Sequence, residues 1–138
     1  MLLRPRISRL VVAGILLGTT LFIAAPSAPA KPRCTVKGTS GDDRLVDTAG
    51  ASVICALGGD DLVEAGPQND VVLGGTGSDR LEGNEGKDVI KGGQGADTIV
   101  VSDGVAGNDR AFGGSGKDTC YIDRGDRTRS CETKTIIA

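Results

Sequence analysis

The chain has 138 residues, of which 16 are basic, 18 acidic and none histidine, for a net charge of −2. Tryptophan is absent, and one tyrosine and two phenylalanines are the only aromatic residues. That composition excludes a nucleic-acid surface built on a basic stripe with stacked aromatics, and the lack of histidine removes the commonest general base.

Residues 1–30 have the form of an export signal. Arg4, Arg6 and Arg9 give a basic start, Leu10 to Ala25 an apolar stretch, and Ala28-Pro29-Ala30 the small residues that a signal peptidase requires. The apolar stretch is interrupted by Gly14, Gly18, Thr19 and Thr20 and falls short of the roughly 20 residues that span a bilayer. A mature chain that begins at Lys31 and is secreted to the extracellular side is therefore expected, without a membrane span. Lys31, Pro32 and Arg33 separate the cut from Cys34, so no cysteine is placed for lipid attachment. Removing the signal leaves thirteen basic against eighteen acidic residues, a net −5 that suits a cation.

Four cysteines in an exported chain suggest two disulfides, for which three pairings exist. They lie in two local pairs, Cys34 with Cys55 and Cys120 with Cys131. Closing a short loop costs the chain less than closing one across everything between, which favours the local pairings. No Cys-x-x-Cys and no histidine is present to make a zinc site.

Between the pairs runs a nine-residue period, clearest in GGTGSDRLE GNEGKDVIK GGQGADTIV from Gly74 to Val100. Nine fits neither a helix nor an alternating strand, so the unit is a turn plus a short strand. The frame holds over seven units from Gly38. Position six is Asp43, Ser52, Asp61, Asp70, Asp79, Asp88 and Asp97, and position eight is Leu45, Ile54, Val63, Val72, Leu81, Ile90 and Ile99. Three extra residues, Val101 to Asp103, break the count before two more units, GVAGNDRAF from Gly104 and GGSGKDTCY from Gly113, which add Asp109 and Asp118 at position six. Val36 stands one unit upstream at an eighth position, so a first strand is expected near Thr35.

Each position has a physical reason. The glycines allow positive φ and a convergence of carbonyl oxygens, the aspartate adds a charged oxygen, and the position-eight aliphatic points inward from a strand. One turn offers fewer oxygens than the 6–8 that a hard divalent cation takes, so two turns must share an ion. If the chain reverses at each turn, every unit stacks on the one eighteen residues later, and the turns form two columns.

Gly38 to Tyr121 resembles the RTX (repeats-in-toxin), or haemolysin-type, calcium-binding repeats, with the nonapeptide Gly-Gly-x-Gly-x-Asp-x-aliphatic-x. The resemblance implies an all-β, right-handed parallel β-roll holding several Ca2+ ions between stacked turns. One column of ligands would be Asp43, Asp61, Asp79 and Asp97, and the other Ser52, Asp70 and Asp88. If the insertion bulges without changing the winding, Asp109 follows Asp88 and Asp118 follows Asp97. Turn carbonyls near Gly41, Gly59, Gly75, Gly77, Gly86, Gly93, Gly95, Gly107, Gly114 and Gly116 would complete the sites. Ser52 carries no charge, so a site shared with Asp70 is expected to be weak or empty. Gln68 stands where a glycine belongs, after Pro67, and Asp47-Thr48 and Ala56-Leu57 replace glycine pairs.

With one inward aliphatic per nine residues the core is thin, and metal-free columns would pack carboxylates together, so calcium is expected to drive folding. The cysteine pairs would staple the two ends, with residues 31–121 forming the roll and 122–138 a cap. Arg124-Gly125-Asp126 is too short a match to imply adhesion, Lys117 lacks the Ser or Thr of a phosphate loop, and no EF-hand spacing occurs. The repeats leave little chain for a catalytic domain, so no enzyme is expected. The rival expectation is a calcium-stiffened adhesive module for a cell-envelope polysaccharide or partner protein, with Val71, Leu73 and Val89 as an outward apolar strip. A monomer is expected.

Overall fold

The computed structural model describes residues 32–137. The export signal expected over residues 1–30, and the new terminus expected at Lys31, lie outside them. Among the described residues there are twelve strands and no helix. They are β1 (Val36–Lys37), β2 (Arg44–Val46), β3 (Val53–Gly58), β4 (Leu62–Glu64), β5 (Val71–Thr76), β6 (Arg80–Glu82), β7 (Val89–Gln94), β8 (Thr98–Val100), β9 (Arg110–Ser115), β10 (Thr119–Ile122), β11 (Arg127–Arg129) and β12 (Thr133–Ile136).

Odd strands form one six-stranded sheet and even strands the other, each in the order of the chain, and every pair is parallel. The chain therefore crosses between sheets at every turn, and two units make one coil of a parallel β-solenoid. Val53 pairs with Val71 and Val71 with Val89, while Arg80 pairs with Thr98, each eighteen residues on. The first strand falls where Val36 places it, with Val36 opposite Ile54.

The core runs along the axis as two facing stacks, because position eight points inward from both sheets. Ile54, Val72, Ile90 and Ala111 line one sheet, and Val63, Leu81, Ile99 and Cys120 the other, all fully buried. Position one is inward too, a feature the nine-residue pattern did not reveal. Ala56, Ala65, Val101 and Ile122 are buried there.

The insertion is absorbed as expected in winding but not in place. Val89 pairs with Arg110, twenty-one residues on, so the coil simply lengthens. Val101, however, is 1% exposed, and its amide donates to Tyr121 O just as that of Gly83 donates to Val100 O. Val101 is thus position one of its unit, and the extra length bulges after it, where Ser102 onward can face solvent without removing a core residue.

The disulfides join Cys34 to Cys55 and Cys120 to Cys131, near the two ends of the roll. Beyond Tyr121 the tail stacks on the last coil as a further coil. It adds a strand to each sheet, β11 on β9 and β12 on β10.

Candidate metal centres

The turns repeat because two kinds of glycine position recur in them. At positions two and four of the turns from Gly59 onward the backbone is left-handed, as at Gly75 (φ 121°) and Gly77 (φ 120°), and a Cβ on Gly77 would strike Gly59 O of the turn below. At position one the need is space rather than φ. A Cβ on Gly74 would collide with Asp79 Oδ2 and Gly92 O, so the glycine makes room for the carboxylate five residues on. All ten glycines expected to supply carbonyls lie in these stacked turns. A Cβ would collide at eight of them, would meet Gly125 O only at 3.6 Å on Gly107, and would meet nothing within 4 Å on Gly41.

The position-six side chains form two ladders. In the first, the amide of Asp43 donates to Asp61 Oδ1 (2.8 Å), that of Asp61 to Asp79 Oδ1 (2.9 Å), that of Asp79 to Asp97 Oδ1 (3.0 Å) and that of Asp97 to Asp118 Oδ1 (2.9 Å). In the second, Ser52 donates to Asp70 (2.7 Å), Asp70 to Asp88 (2.8 Å) and Asp88 to Asp109 (2.7 Å). The residues expected to be neighbours are therefore neighbours, including both that follow the insertion.

One oxygen of each carboxylate is committed to this ladder, and the other is left alone. Oδ2 of Asp61, Asp70, Asp79, Asp88, Asp97, Asp109 and Asp118 is buried without a hydrogen-bond partner, on side chains no more than 3% exposed. A buried anionic oxygen without a donor is costly. Burial pushes the carboxyls of Asp61, Asp70 and Asp97 up, those of Asp79 and Asp88 to about 6, and that of Asp109 to about 7. The amide bond from the coil below acts the other way, and neighbouring aspartates add to the rise. Asp43 differs: its Oδ2 accepts from the Thr39 amide (2.6 Å) and hydroxyl (2.9 Å), so the first coil satisfies its own carboxylate.

Three acidic side chains belong to these columns without being legible as repeat members. Asp118 donates its amide to Glu132 Oε2 (2.7 Å), which makes Glu132 the last member of the first ladder. Asp109 donates to Asp126 Oδ1 (3.2 Å), which ends the second. Their separations of 14 and 17 residues break the period, and only the arginine after Asp126, aligned with Arg110, hints at the match. The third is Asp47, at position one of the Ser52 unit. It is 8% exposed, with Oδ2 unpartnered, and near enough to raise the Asp70 carboxyl. The turn expected to lack charge has a carboxylate from another position.

The donor set fits a hard cation such as Ca2+. Its orphaned oxygens are carboxylate, and two adjacent turns contribute to each gap. Among the described residues no group of three acidic or cysteine side chains gathers at one point, so most of the 6–8 oxygens would come from turn carbonyls.

Neither the curated proteins nor the solved structures gave a significant match. The family model for the RTX calcium-binding nonapeptide repeat (4 copies) matches residues 37–72, 73–105 and 101–128. Those segments cover about two thirds of the chain and the stacked turns just described, and the chain belongs to the RTX calcium-binding repeat family.

Proposed function

We propose that this is an exported calcium-binding module whose roll is completed by the ions it takes up. Calcium would be held between consecutive turns by Asp61, Asp79, Asp97 and Asp118 in one column and Asp70, Asp88 and Asp109 in the other, with turn carbonyls. Asp43, the outermost, contributes less because Thr39 already occupies its second oxygen. The bound ion supplies the positive charge that these buried carboxylates lack. The observation carrying the reading is the row of seven buried Oδ2 atoms without a donor.

Folding follows from the same feature. Without a counter-charge, closing the coils brings carboxylates together and takes them out of water, against a core of small aliphatic stacks. Binding energy then serves as folding energy. Export is supported by the basic, apolar and small-residue sections of residues 1–30 and by two disulfides, which persist in oxidising compartments. The working layout is a removed segment 1–30, a roll over 31–121 and a closing coil over 122–138. We assign it no reaction.

Far-ultraviolet circular dichroism of the oxidised mature chain tests this. Added calcium should convert a largely unordered spectrum in chelator into a β spectrum, and magnesium should do much less. A full β spectrum in excess chelator, unchanged by calcium, would refute the folding role.

A further inference from the structure

Arginines on the outward faces of the roll fall into two groups. The upstream pair is neutralised, with Arg44 bonded to Glu64 (2.9 Å) and Arg80 to Glu82. Arg110 on β9 and Arg127 and Arg129 on β11 also point outward and are exposed, yet among the described residues none of them forms an ion pair. Parallel register sets Arg127 directly against Arg110 and Arg129 against Phe112, with Lys91 on the other side of Phe112. Like charges directly opposite on neighbouring strands repel, so this arrangement costs stability as it stands.

Arg110, Arg127 and Arg129, with Lys134 from the other sheet and the half-buried ring of Phe112, line a cavity of about 620 Å3. Asp126 also borders it but does not serve as their counter-ion. Its oxygens accept from the amides of Gly107 (3.1 Å), Asp109 (3.2 Å) and Asp123 (2.8 Å). An otherwise acidic chain thus gathers cations around a single aromatic ring.

We propose that this surface binds an acidic polysaccharide, with its carboxylates held by the guanidinium forks and a sugar ring laid against Phe112. Guanidinium groups pair with carboxylates through two parallel hydrogen bonds. Here they recur at the strand spacing of about 4.8 Å, comparable to one sugar unit. The apolar face of a sugar packs on an aromatic ring. A nucleic acid fits less well, because one ring offers no run of stacking platforms. The site goes beyond the calcium reading and rests on it only in that the folded roll sets the register of β9 and β11.

A galacturonate oligomer too short to gel with calcium is the probe, offered to the oxidised chain in calcium, with neutral dextran, duplex DNA and anionic vesicles as competing occupants. The oligomer should bind, weaken with added salt and exceed the other three. The combined exchange of Arg110→Gln, Arg127→Gln and Arg129→Gln should lower affinity roughly 10- to 100-fold, while Arg44→Gln with Arg80→Gln leaves it unchanged. Circular dichroism in calcium reports whether each variant keeps the parent fold. Should the triple variant not keep it, each single exchange is read instead, at about 2- to 5-fold. Undiminished binding by folded variants, or preference for dextran, DNA or vesicles, would overturn the proposal. Loss of calcium-dependent folding with arginine-dependent binding intact would sink only the folding role.

Discussion

Protonation should substitute for calcium. Carboxyls at about 6 for Asp79 and Asp88 and about 7 for Asp109, against an ordinary value of 3.8, lie some two to three pH units high. At about 1.36 kcal/mol per unit, keeping each one ionised inside the roll costs up to about 3–4 kcal/mol. The three are not strictly additive, since the columns couple them. Even so, the total rivals the whole stability of an ordinary domain, about 5–15 kcal/mol. Because the folded values are raised, folding takes up protons. The stability of the metal-free roll is therefore fully present below about pH 4, the unfolded carboxylate value, and is lost as the pH rises through about 6 to 7. In chelator, the β signal of the oxidised chain should grow as the pH falls from about 8 to about 5. With calcium it should already be full at the upper end. A chelated chain whose spectrum does not change over that range would show that desolvated carboxylates are not what opposes folding.

Asp97→Asn keeps an acceptor for the Asp79 amide but removes the charge between two coils. Isothermal titration should then count at least one calcium fewer than in the parent. Gly77→Ala should cost about 2 kcal/mol or more in calcium, because it adds left-handed strain to a collision with Gly59 O. Gly41→Ala, with nothing within 4 Å of its new Cβ, should stay within about 0.5 kcal/mol in the same thermal melts. Gln68→Gly should stabilise by about 1 kcal/mol, since Gln68 sits at φ 95° where its own Cβ is strained. A lowered melting midpoint for that variant would mean that the Gln68 side chain contributes something its backbone conformation does not reveal.

Much of this was legible in the sequence because one short unit recurs. Aspartate at position six and an aliphatic at position eight are enough to fix inward and outward faces, the eighteen-residue stacking and the two columns. Closeness in sequence also decided the disulfides. What escaped was whatever left the period. Glu132 and Asp126 occupy ladder positions only because the last turns are shorter, and Asp47 reaches its column from position one. The nine-residue count places Val101 in the insertion, whereas burial makes it a core residue. Positive φ accounts for glycines at other turn positions, whereas at position one a carboxylate fills the space a Cβ would need. Leu57, at φ 84°, shows the converse: stacking holds a bulky residue in a conformation its own preferences resist. The basic face around Phe112 required register between strands that no single unit contains.

A crystal structure of the oxidised chain grown in calcium tests the account most directly, at the gap shared by Asp79 and Asp97. Ion density about 2.3–2.6 Å from their free carboxylate oxygens, completed by turn carbonyls, is the predicted result. The same stacked turns with no ion beside either residue would contradict it.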